Sequence, residues 1–253
     1  DFDIIQFRRT GKDCLSYLIV SDNQAAIIDA SLPVDVYQKY ILRETLSLKF
    51  VIETHIHADH LSRSRQLAEQ HNCTLYLPVP NKVNFKFLPV KDGSTITLGK
   101  INISAIATPG HTLESTSYLV DGKVLLTGDT LFINGVGRPD LKASQEEATE
   151  KSSLLYHSIQ KLLELDDGIV VLPAHTSQPV DFDQVFLQTT IGAIRSNTPL
   201  LQLNEAGFID TILKRIPATP ANYMAIVEKN LSGDVNDSLP SDLEAGANRC
   251  AIT

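Results

Sequence analysis

The chain has 253 residues, 43% hydrophobic and 21% charged, which is enough to bury a sizeable core and too balanced for a disordered or fibrous chain. Its 22 basic and 30 acidic residues leave a net charge of -8, which argues against a nucleic-acid partner held by phosphate neutralisation. No apolar run approaches the roughly 20 residues of a bilayer span, so no membrane partner is expected.

Residues 3–8, 15–20 and 25–29 are short, rich in branched side chains and separated by polar turns, which predicts strands. A helix is expected over 36–48, then a buried strand over 50–53 running into Thr54-His55. A helix over 62–71 and a strand over 74–77 follow. Four more strands are predicted at 94–98, 101–107, 115–120 and 123–128, the last two joined by a tight Asp121-Gly122 turn. Residues 144–165 read as the longest helix, with Ser144 as N-cap and Glu146 and Glu147 in its first turn. A buried strand over 169–172 ends in Pro-Ala-His175, and three helices are expected near 190–197, 205–215 and 223–230. The pattern suggests an α+β protein, two sheets face to face with helices outside, in one domain over residues 1–231 with a loop-like tail over 232–253. Cys14, Cys73 and Cys250 are odd in number and far apart, so neither a disulfide framework nor a C-x-x-C site is predicted. With no basic, apolar leader at the first residues, a reducing, cytoplasmic setting is the expectation.

The histidines carry the functional signal. His55, His57 and His60 crowd into one short segment with Asp59, directly after an apolar strand. Burying that many imidazoles beside a carboxylate is costly unless a cation takes them as ligands. His111 after Thr-Pro-Gly, Asp129 after Thr-Gly and His175 after Pro-Ala each follow a predicted strand end. Strands that terminate in donors bring all seven groups to one sheet edge, which predicts a metal site.

In order and spacing, His-x-His-Ala-Asp-His, Thr-Pro-Gly-His, Thr-Gly-Asp and Pro-Ala-His resemble the metallo-β-lactamase superfamily. The resemblance implies an αββα sandwich with the metal cleft at one edge of the sheets. In the dinuclear hydrolases of that superfamily, the residues matching His55, His57 and His111 hold one metal. Those matching Asp59, His60 and His175 hold the other, with Asp129 bridging. A hydrolase of a thioester or lactone with two Zn(II) ions, similar to glyoxalase II, is therefore one expectation.

A second stretch points elsewhere. Thr127 to Leu141, with Gly135, Gly137, Arg138 and Asp140, is similar to the persulfide dioxygenases, including the rhodanese-fused branch. Thr190-Ile-Gly, Asn197 and the set Pro220, Tyr223, Ile226 and Asn230 also look like that branch. This resemblance implies one Fe(II) held by His55, His111 and Asp129, with a low-molecular-weight thiol persulfide and dioxygen as substrates, and sulfite and thiol as products. His57, Asp59, His60 and His175 then support the iron from outside its ligand set, with Asp59 and His60 handling protons. Arg138 either contacts the anionic persulfide or braces its loop through Asp140, and the glycines are expected to serve turn geometry. Glutathione-using relatives carry Tyr two residues after the last His; here Thr176-Ser177 follows His175, which points to another thiol carrier. No rhodanese-like segment follows, so a sulfurtransferase partner is expected to be a separate protein, and a homodimer is expected by analogy. Cys250 beside Arg249 is read as an incidental residue of a frayed terminus.

Overall fold

The computed structural model describes residues 1–9, 11–79, 83–176, 186–235, 241–244 and 249–253. Alternation in the branched segments buries both faces of each sheet, and this sets the layering. The first sheet is built in chain order from β1 (Asp3–Arg9), β2 (Cys14–Ser21), β3 (Gln24–Ile28), β4 (Ser47–Ile52), β5 (Thr74–Pro78) and β6 (Leu88–Val90). β1 to β3 pair antiparallel and β3 to β6 parallel. The parallel crossover from β3 to β4 carries α1 (Val34–Arg43), and that from β4 to β5 carries α2 (Ser64–Gln70).

The second sheet holds β7 (Thr95–Leu98), β8 (Ile101–Ala107), β9 (Thr116–Val120) and β10 (Val124–Gly128) as an antiparallel meander. Two short strands, β11 (Leu131–Phe132) and β12 (Gly135–Gly137), leave it. After α3 (Gln145–Leu163) the chain returns as β13 (Val170–Pro173), parallel to β10, with β14 (Thr189–Thr190) on the edge. The helices α4 (Ile191–Asn197), α5 (Glu205–Lys214) and α6 (Tyr223–Ser232) follow, and β15 (Ala251–Ile252) pairs with β12.

Tyr17, Ile19, Ile28, Ile52, Ile103, Tyr118 and Leu126 fill the space between the sheets. Alternate residues of the same strands, Leu18, Ile27 and Val51, face Tyr37, Ile41 and Leu67 of α1 and α2. On the second sheet Leu125 and Val171 face Leu155, Ile159, Ile194 and Phe208. The result is the expected αββα stack, each core side chain contributing about 1.5–3 kcal/mol when fully buried.

Several boundaries differ from the sequence reading. The helix expected over 36–48 stops at Arg43, because Thr45 takes a left-handed φ of 54° and Leu48 belongs to β4, paired with Ala25. β6, β11, β12, β14 and β15 were not foreseen, since runs of two or three residues carry no usable period. The Asp121-Gly122 turn is as expected, with φ of 48° and 67°. The tail expected to be loop is folded where described: Ser241–Glu244 is a short helical turn, and Cys250 and Ile252 are each 2% exposed. Residues 236–240 and 245–248 of that tail, and Ser177, lie outside the described residues. Among the described residues no helix is long and apolar enough to cross a membrane.

Candidate metal centre

β8 and β10 flank β9, and β13 runs parallel to β10, so these three strands end at the same edge of the second sheet. His111, Asp129 and His175 follow those ends, and His55 follows β4 in the facing sheet. Backbone features fix the turns. Asp29, left-handed at φ 54°, accepts hydrogen bonds from the Thr54 N–H and hydroxyl, both at 2.8 Å. Gly128 is left-handed at φ 53°, and a Cβ there would lie 2.6 Å from the Thr54 hydroxyl. A Cβ on Gly137 would strike the Asp129 carbonyl. Gly137 thus serves close approach between strands rather than the turn geometry expected of it, since its φ is ordinary.

All seven predicted donors are buried at this edge, in three groups, the first two of which are joined by a fourth, Asp129, His175 and Cys250. The first is His55, His111 and Asp129. The Thr54 hydroxyl donates to Asp29 and so accepts from His55 Nδ1–H at 2.9 Å. His111 Nδ1–H donates to the Arg138 carbonyl at 2.7 Å. Both rings are therefore held with Nε2 unprotonated, 3.9 Å and 3.5 Å from Asp129 Oδ2. Burial pushes both imidazoles below their ordinary range. Burial pushes the Asp129 carboxyl up, but His175, His111 and His55 outweigh it and hold it ionised. His55 Nε2 and Asp129 Oδ2 are buried with no hydrogen-bond partner. Acceptors facing one another without a proton among them are the arrangement a cation relieves, so the residues fit a metal.

The second group is Cys14, Asp59, His60 and His175. His175 lies between two carboxylates, Nδ1 at 2.5 Å from Asp129 Oδ1 and Nε2 at 2.8 Å from Asp59 Oδ2. Burial opposes its charge, but Asp129 and Asp59 raise its pKa well above the usual histidine range. Asp59 also accepts from the Cys14 thiol at 3.2 Å and faces His60 Nδ1 at 3.1 Å. Burial lowers and Asp59 raises His60, with a net rise to about 9.

The third group is Asp29, Glu53 and His57. His57 Nε2 meets Glu53 at 2.7 Å and Asp29 at 3.3 Å, and these carboxylates raise it well above its ordinary value against burial. His57 Nε2 thus faces Glu53 and Asp29, while its ring centroid lies 4.2 Å from that of His55, whose distance to His111 is 4.9 Å. His57 Nδ1 and His60 Nε2 nevertheless remain buried and unpartnered.

Arg138 is fully buried, and its five N–H groups all have acceptors. Nε and Nη2 grip Asp140 at 2.8 Å each, Nη2 reaches Pro217 O at 2.9 Å, and Nη1 reaches Ala218 O and Arg249 O at 3.2 Å. Of its two expected roles, bracing is the one the geometry supports; contact with an anion is corrected, because no N–H is left to make it. Asn230 Nδ2 donates to the carbonyls of His57 and His60, both at 2.9 Å, and its Oδ1 accepts from Ser62 N–H at 2.9 Å, locking the histidine loop onto α6. Cys250, read as incidental, is buried beside Asp129 and His175.

Sequence reasoning missed Cys14, Asp29 and Glu53. The last two end predicted strands, as the donors do, and were open to the same inference. A cleft of about 590 Å³ opens beside His111, lined by Ile56, Leu113, Glu114, Lys151 and Tyr223 among others.

With the two-sheet edge and its donors in place, the chain belongs to the metallo-β-lactamase superfamily, whose family model matches residues 9–175. Among curated proteins, hydroxyacylglutathione hydrolase of Francisella philomiragia is 32% identical over 161 residues, 63% of this chain and 61% of that protein. The same-named protein of Francisella tularensis subsp. novicida is 34% identical over 161 residues. The chain thus spans about three fifths of the curated relatives it matches. Among solved structures, a metallo-β-lactamase from Staphylococcus aureus superposes with a TM-score of 0.86 at 28% identity, covering 94% of this chain and 75% of that one. ETHE1 from Myxococcus xanthus superposes with a TM-score of 0.80 at 28% identity, covering 91% and 99%.

Proposed function

We propose that this protein is an iron-dependent persulfide dioxygenase in which His55, His111 and Asp129 hold a single Fe(II). The reaction takes the outer sulfur of a thiol persulfide to sulfite: the persulfide, dioxygen and water give the free thiol and sulfurous acid. The observation that carries the reading is one two-histidine, one-carboxylate group with open acceptors at His55 Nε2 and Asp129 Oδ2, while His175 lies between Asp59 and the other oxygen of Asp129, and His57 meets Glu53 and Asp29. Such a set suits ferrous iron and leaves coordination positions for sulfur and dioxygen. Similarity to ETHE1 of Myxococcus xanthus across nearly its whole length supports it further. Around the iron, Thr54 and the Arg138 carbonyl orient the two imidazoles, and His175 between Asp59 and Asp129 holds a proton next to the ligand carboxylate. We assign Asp59 and His60 to proton handling and Arg138 to positioning. The free cysteines fit a reducing, cytoplasmic setting, and a separate sulfurtransferase is the partner class that would supply persulfide.

A dinuclear zinc hydrolase of a thioester or lactone is the second reading. It is favoured by the unpartnered His57 Nδ1 and His60 Nε2 and by the curated relatives named hydroxyacylglutathione hydrolase. Metal analysis of protein purified without oxygen, joined to oxygen-electrode assays on thiol persulfides, separates the two. One iron per chain with oxygen uptake upholds the dioxygenase. Two zinc ions with oxygen-independent thioester cleavage replaces it.

A further inference from the structure

The cleft beside His111 contains a charged group that the metal edge leaves unused. Glu147, Glu150, Lys151 and Leu154 of α3 face this cleft at helical spacing. Lys151 is half-buried, and its ammonium makes no hydrogen bond or ion pair with any described residue. Its acidic neighbours act on it only through space, and each has other work. Asp140 grips Arg138, Glu147 closes the capping box of α3, and Glu114 accepts the Ile56 N–H at 3.1 Å. Burial holds the ammonium below its ordinary range, and Lys151 lines the same cleft as His111. The other lysine on the wall, Lys142, is exposed. Holding a cation half-desolvated and unpaired beside a metal site is unfavourable until an anion arrives.

We propose that Lys151 is an anion-binding residue of the cleft that takes a carboxylate on the organic carrier of the substrate, with the sulfur end toward His111 and the carrier lying along Leu113 and Tyr223. The volume of about 590 Å³ is far more than a sulfur pair needs, so the ligand has a body. Glu114, Glu147 and Glu150 around this cation favour a single negative charge over a polyanion. The identity of the sulfur end rests on the dioxygenase reading; the carboxylate contact does not.

The test uses metal-loaded wild type, Lys151→Met and Lys151→Arg with persulfides of 3-mercaptopropionate, 2-mercaptoethanol and cysteamine. Lys151→Met should raise KM for the mercaptopropionate persulfide about tenfold or more, the size of one charge-assisted contact, with kcat within about twofold. The mercaptoethanol and cysteamine persulfides should show no such rise, and Lys151→Arg should restore most of the loss. Equal effects on all carriers, or none on any, overturn the proposal. Calorimetric binding of S-methyl-3-mercaptopropionate, which needs no turnover, separates the two failures. If no persulfide drives oxygen uptake yet this thioether binds Lys151→Met about tenfold more weakly than wild type, the dioxygenase reading falls and the carboxylate site stands. Ligand-free Lys151→Met should also melt above wild type, because an unpaired, half-buried charge is gone; a lower melting point counts against the proposal.

Discussion

Because the Thr54 hydroxyl donates to Asp29, it has only lone pairs to offer His55, so a residue outside the donor set selects which imidazole nitrogen is open. Thr54→Val removes that selection while keeping the shape. It should lower metal affinity by about 10–100-fold, measured by chelator competition, with Thr54→Ser restoring it. Arg138 makes a different case. Lysine in its place cannot supply the paired fork to Asp140 or reach three carbonyls at once. Arg138→Lys should cost about 3–5 kcal/mol in urea unfolding, the range for breaking a buried ion pair, and should loosen His111 through the Arg138 carbonyl. The donors were legible because their types are costly together without a cation. Cys14 was not, since its contact with Asp59 joins positions 45 apart and depends on a pairing no local pattern encodes.

Among the elements, α3 was the most readable, because its start is written in side chains. Ser144 accepts from Glu147 N–H, and the Glu147 carboxylate accepts from Ser144 N–H at 2.7 Å. The short helical turn Ser241–Glu244 was invisible in a polar, aperiodic tail, yet Glu244 ties three parts of the molecule. It pairs with Arg9 of β1 at 2.8 Å and accepts Leu61 N–H at the end of the histidine loop at 2.6 Å. Burial raises the Glu244 carboxyl, but Arg9 and the Leu61 N–H outweigh it and leave the pKa below its ordinary value of 4.5. A carboxylate depressed in the folded state stabilises at neutral pH and loses that contribution as pH falls through its folded pKa. Glu244→Gln should therefore be less stable than wild type at pH 7, and the gap should shrink steadily below about pH 4.5 in melting curves taken across that range.

At the scale of the whole molecule, the four layers followed from strand alternation and from helices set between parallel neighbours, which is why the architecture could be read before any contact was known. Alternation did not reveal that the far end of the chain closes the site. β15 adds a strand to β12, Arg138 N–H donates to Cys250 O at 2.8 Å, Arg138 Nη1 reaches Arg249 O, and Arg215 reaches Thr253 O at 2.7 Å. β12 in turn presses Gly137 against the Asp129 carbonyl, and Arg138 O holds His111. The last five residues are thus connected to two of the three proposed iron ligands through one short strand. Removing residues 249–253 leaves two Arg138 donors without acceptors, at about 1–3 kcal/mol each when buried, so a loss of roughly 2–6 kcal/mol is expected. The core sheets do not include β15, so far-ultraviolet circular dichroism should change little while the melting point drops. Metal content should fall with it, because Asp129 and His111 lose the strand that positions them. A truncated chain that keeps full metal and wild-type stability would show that the strap closes over the site without supporting it.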